Sequence, residues 1–142
     1  MKNLILISAL MAGAYFWFSD GNHQDIPSGA AEQSLSGPSS FGHADSNRQV
    51  QSEGVVVKVL PDDNHGSRHQ KFLLELSSGQ TILIAHNIDL APRISPITEG
   101  DVVAFNGEYE WNEKGGVVHW THRDPNGRHE AGWLKVGGRI YQ

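Results

Sequence analysis

The sequence predicts an all-β domain held behind an apolar N-terminal segment and a spacer. Three observations predict it. The chain opens on a nearly unbroken apolar run, Leu4 to Phe18. Residues 20–49 carry no helical or strand period. From residue 50 onward, short β-rich runs alternate with turn residues.

Met1-Lys2-Asn3 leads into the apolar run, which only Ser8 and Gly13 interrupt. As a helix it rises roughly 22 Å, short of a hydrocarbon core of about 30 Å. Tyr15, Phe16, Trp17 and Phe18 crowd its far end and suit a membrane–water interface. Lys2 and the terminal amine keep the near end cytoplasmic, so the rest of the chain is expected outside. Residues 1–19 read as an uncleaved signal anchor, aided by local bilayer thinning. The alternative is a signal peptide cut at Ala12-Gly13-Ala14. The expected location is therefore the bacterial inner membrane with the C-terminal domain in the periplasm. After cleavage it would be the periplasm or the exterior.

Residues 20–49 read as a disordered linker. Of these 30 residues, 12 are Gly, Ser or Pro, and Ile26, Leu35 and Phe41 are the only large apolar side chains. Such a segment buries too little surface to offset its ordering entropy.

Residues 50–142 read as the folded domain. Val55–Leu60 opens it and Pro61–Gly66 turns the chain. Lys71–Leu76 follows, then Ser77-Ser78-Gly79, then Thr81–Ala85. Asn87–Pro92 suits a short helix or a capped turn. Glu99-Gly100-Asp101 enters Val102–Trp111, Asn112–Gly115 reverses the chain into Val117–His122, and Trp133–Val136 precedes Gly137-Gly138 and Arg139–Tyr141. Five or six strands with a short helical insert after the third predict a small OB-like barrel. Gly107, inside a strand, predicts a bulge or a sharp bend. If Trp111 pairs with Gly116, Glu108 faces His119, and Val118 and Trp120 share the apolar face with Phe105 and Tyr109.

His86–Arg93, Gly107–Asn112 and His119-Trp120-Thr121-His122 with Asp124-Pro125 resemble the signatures of an exported bacterial domain family of unknown function. The resemblance covers roughly residues 53–142 and implies no activity. Asp124–Arg128 also faintly resembles the Asp-x-x-Gly-Arg stretch of thermonuclease-like OB barrels. That family's remaining Arg/Glu arrangement does not map here, so no catalytic residue carries over.

Composition narrows the chemistry. No Cys is present, which excludes disulfides, thiolate metal sites and a catalytic thiol. A formal charge of −5 argues against bulk binding of duplex nucleic acid. The candidate ligand-binding residues are His86, Asp89, Arg93, Glu108, His119, His122, Asp124, Arg128 and His129. No resident cofactor is expected. A divalent metal held by some of His86, His119, His122 and His129 is the exception considered, imidazole being a common metal ligand and proton carrier. His119 and His122, three apart, point to opposite faces of a regular strand and cannot chelate one ion without a bulge. Asp124-Pro125-Asn126-Gly127 is first of all a turn, and Asn87 or Asp89 a cap.

The expected function is an envelope-tethered, extracytoplasmic binding module, with an envelope protein or a small anionic ligand as its partner. The alternative is a metal-assisted hydrolase, phosphodiesterase- or nuclease-like, using His119, Asp89 and Arg93. Intact-mass analysis of the chain from a membrane fraction tests the anchor. The uncleaved mass is expected, and a mass short of the first 14 residues or so would establish cleavage.

Overall fold

The computed structural model describes residues 35–142. The expected anchor, and the spacer up to residue 34, lie outside the described residues. Among the described residues, no helix is long and apolar enough to cross a membrane.

Among the described residues, seven strands form one sheet: β1 (Arg48–Asp63), β2 (His69–Glu75), β3 (Thr81–Asn87), β4 (Val102–Glu110), β5 (Val117–His119), β6 (Trp133–Val136) and β7 (Arg139–Tyr141). Their order is β1-β2-β3-β5-β4-β6-β7, with a further pairing of β1 to β4. That pairing bends the first five strands into a partial barrel-like ring. β1 is 16 residues long and serves two partners. Arg48–Val55 pairs with β4, and Val55–Asp63 pairs with β2 across two register shifts. The ring's narrowest seam is the parallel β3–β5 contact, Leu83 with Val117 and Ile84 with Val118. β6 continues along β4 beyond β5, and β7 folds back on β6.

Strict alternation in the sequence sets the inner surface. Phe72 and Leu74, Ile82 and Ile84, Val103, Phe105 and Tyr109, then Val118 and Leu134, all point inward and are buried. Their neighbours point outward.

The connection from β3 to β4 differs from the helical insert expected. Asn87 Oδ1 accepts the Asp89 N–H, and Ala91 N–H donates to the Asn87 carbonyl, which closes one turn. Pro92 and Pro96 follow at once and deny a longer helix its backbone donors. The loop is instead pinned to the barrel. Gln70, buried on β2, donates to the Ile94 carbonyl at 2.8 Å and accepts the Ile94 N–H at 2.9 Å. This reciprocal pair seats Ile94 in the core.

The segment before β1 also differs from expectation. Phe41 packs on the core, 5.3 Å from the Tyr109 ring and 6.3 Å from that of Phe105. Gln80 fixes it by accepting the Phe41 N–H and donating to the Phe41 carbonyl. One 3-10 turn, His43–Asp45, then leads into β1. Of the described residues expected as linker, Phe41 is held by core packing and Gln80, and Arg48 and Gln49 already belong to β1; contacts to residues so distant in the chain leave no periodic trace in sequence.

Ile94 is the plug that replaces a helix, so Ile94→Ala should cost about 2–5 kcal/mol of unfolding free energy. Urea denaturation of the two proteins measures it.

Candidate functional site

The site grows from the β4–β5 hairpin. Period two on β4 puts Val103, Phe105, Gly107 and Tyr109 inside, and Asn106, Glu108 and Glu110 outside. The register pairs Glu108 with His119, Tyr109 with Val118 and Glu110 with Val117, the pairing that burial of Val118 favours. Gln49 of β1 sits opposite Glu108 on the other side. Gln49, Glu108 and His119 thus form one cross-strand row on the outer surface.

Alternation then stops. Trp120 has φ +54, the left-handed region that a bulky residue rarely adopts. Val118 points in and His119 out, but Thr121 and His122 are both buried. Trp120 was expected on the apolar face with Phe105 and Tyr109 and is not there. It lies on the rim, stacked on His129 with ring centroids 3.9 Å apart and 8° between planes. Two glycines make room for this backbone. A Cβ on Gly107 would strike the His119 carbonyl, and one on Gly132 would strike the Trp120 carbonyl. Gly107 therefore marks a close approach, with no break in the β4 register.

Outside, carboxylates and imidazoles converge. His129 Nε2 lies 2.5 Å from Glu108 Oε2, and its Nδ1 lies 2.8 Å from the Glu130 carbonyl. Both ring nitrogens face acceptors, which suits the imidazolium. Burial pulls this imidazole down, but Glu108, the Glu130 carbonyl and Asp124 together outweigh it and hold it above the ordinary histidine value. His119 Nε2 is 3.2 Å from Glu110 Oε1, yet it is sealed from solvent and makes no hydrogen bond. One ligand atom each from Glu108, Glu110 and His119 lies within 4.8 Å of the others.

Inside, His86 is fully buried at the end of β3. Its Nε2 faces the Pro92 carbonyl at 3.0 Å and its Nδ1 faces Thr121 Oγ1 at 2.8 Å. The carbonyl can only accept, so Nε2 carries the proton and Nδ1 accepts from the hydroxyl. Burial drives the imidazole down to about 4. The segments starting at His86 and His119 do meet, but inside the barrel through Thr121. Both His86 nitrogens are occupied, so it is a core histidine and not a surface ligand. His122, also buried, turns Nδ1 to the Arg123 carbonyl at 2.7 Å.

The remaining candidates are tied up elsewhere. Asp89 accepts from the Arg68 N–H and Nε, and those bonds hold its carboxyl below the usual range. Arg93 forms a two-pronged pair with Asp62, which raises the guanidinium further. Asp124 accepts the N–H groups of Asn126, Arg128 and His129, and these lower its carboxyl. It organises the turn that delivers His129, and the Arg128 side chain stays exposed. Of the nine candidates, Glu108, His119 and His129 come together. Gln49 and Glu110 were missed, although a two-residue step from Glu108 gives Glu110 the same face. An open groove lined by Ser36, Gly37, Gln51, Ser52, Glu53 and Ala104 contains none of these groups.

Comparison with known proteins agrees with the motif resemblance. The chain belongs to the family described as "protein of unknown function (DUF3465)", whose model matches residues 21–142. No curated protein and no solved structure matches it.

His86 makes stability depend on pH. Folded His86 binds its proton less tightly than the unfolded chain does, so the unfolded state carries more protons between about pH 4 and 6.5. Its contribution is complete above pH 6.5 and drains away down to about pH 4, for a total of about 3 kcal/mol. Denaturant titrations at stepped pH should show this loss, and NMR should place the His86 midpoint near 4.

Proposed function

We propose that this chain is an envelope-tethered, extracytoplasmic binding module built on an OB-like barrel, and that it takes a cationic group on the outer face of β4 and β5. The ring order and the parallel β3–β5 seam support the OB-like reading, with β6 and β7 as an added hairpin. The aromatic-ended apolar run at the N-terminus supports tethering and export.

One observation carries the ligand class. The groups that converge on the outer face are the Glu108 and Glu110 carboxylates with His119 and His129, beside Trp120. The sequence suggested a small anionic ligand. The assembled face favours positive charge instead, because its carboxylates attract cations and a neighbouring indole supplements them. The hydrolase alternative draws no comparable support. The three groups it needs in one cleft have separate partners: His119 lies by Glu110, Asp89 by Arg68 and Arg93 by Asp62.

Two measurements test the proposal. A C-terminal alkaline phosphatase fusion, active only after export, should be active in a bacterial host. Spermidine should saturably change the tryptophan fluorescence of the full chain, and Glu108→Gln with Glu110→Gln should weaken that response about tenfold. A silent fusion overturns the location. Preference for inorganic polyphosphate, unchanged by the two substitutions, overturns the ligand class.

A further inference from the structure

We propose that Glu108, Glu110 and His119 form a binding site for a divalent transition-metal ion of the zinc type, with Gln49 completing its floor. This deepens the cationic-ligand reading of the same face and rests on it.

Local geometry supplies the ligand set. Glu108 and Glu110 share a face because they are two apart on β4, and His119 is the cross-strand partner of Glu108. Their ligand atoms lie within 4.8 Å of one another. Donors around a zinc ion at about 2.0–2.2 Å are themselves roughly 3–4 Å apart, so side-chain rotations of under about 1 Å close the set. Two carboxylates offset the ionic charge. One imidazole among them favours zinc or manganese over calcium, which prefers oxygen throughout.

Carboxylates that lie near a histidine are common without a metal, and a second observation distinguishes this group. Among the described residues, two buried side-chain polar atoms make no hydrogen bond: Gln49 Oε1, and His119 Nε2, which faces Glu110 Oε1 at 3.2 Å without hydrogen-bonding to it. Both belong to the same row, on either side of Glu108. A buried polar atom left unpaired is destabilising, so two such atoms in one row, flanking Glu108, need an explanation. A cation in this row supplies it. The imidazole nitrogen ligates the ion, and the amide oxygen takes the ion or a water bound to it.

The neighbours already stand in supporting positions. Gln49 is oriented by its Nε2, which donates to Asn106 Oδ1 at 2.8 Å. His129 engages Oε2 of Glu108, which leaves Oε1 of that carboxylate to ligate. Three protein ligands on an outer surface leave open positions for water or for a group on a partner.

Untagged full-length chain is titrated with Zn(II) by calorimetry, and with Co(II) by visible absorption. The expected result is one ion per chain, d–d bands that Zn(II) abolishes, and affinity weakened about tenfold or more by Glu110→Gln and by His119→Gln. His69→Gln, on β2, should leave affinity within about twofold of the parent. Thermal melts of the metal-free variants check folding, and if His119→Gln unfolds, the exposed Glu110→Gln carries the test. Absence of saturable binding below about 1 mM overturns the site. So does binding that Glu110→Gln leaves unchanged, since the ion then sits on other histidines. Spermidine separates the two claims. If it binds and Zn(II) does not, the metal site fails and the cationic face stands. If neither binds, both fail.

Discussion

Trp120 adopts a backbone conformation that costs an ordinary residue of order 1–2 kcal/mol, and the way the chain leaves β5, to the interior at Thr121 and to the rim at His129, follows from it. A regular strand would send Trp120 inward and Thr121 outward. The left-handed residue shifts that parity, so the hydroxyl of Thr121 reaches His86 in the interior and the indole lies on the rim against His129. Gly107 and Gly132 supply the clearance this path needs, and Gly132 N–H bonds to the His122 carbonyl to close it. The inner hydrogen bond from Thr121 to His86 and the outer stack of Trp120 on His129 are thus two sides of one backbone irregularity.

Histidine illustrates how environment decides chemistry here. His86 and His129 lie on opposite sides of the same wall. One is dry, carries a proton on Nε2 alone, and is locked between a hydroxyl and a carbonyl. The other sits against a carboxylate and a carbonyl and favours the charged form. Residue type alone places both in one list of candidates. The solvent boundary separates them into a packing residue and a surface group.

Much of the scaffold was legible in the sequence, because alternation and turn residues are local signals. The runs at 71–76, 81–85 and 102–111 read correctly as strands, and the Glu108–His119 register followed from expecting Val118 and Trp120 inside, of which only Val118 is there. What was not legible depended on long-range contacts. Phe41 looked like part of a spacer because its attachments run to Gln80 and the core. The β3–β4 loop looked helical because Gln70, which holds Ile94, lies 24 positions away. Trp120 looked like core because nothing nearby in sequence announces a left-handed tryptophan. The two glycines that accommodate it were visible, but their partners were not.

The outer row is put together over two very different chain separations. Glu108, Glu110 and His119 come from a single hairpin and meet as soon as the Asn112–Gly116 turn closes, a local event on the microsecond scale. Gln49 reaches the same row only when the first half of β1 docks on β4, bridging nearly half the molecule. Long loop closures of this kind dominate the time that β-rich chains need to fold. The three side chains therefore need only a short-range closure, while the residue flanking them needs a long-range one.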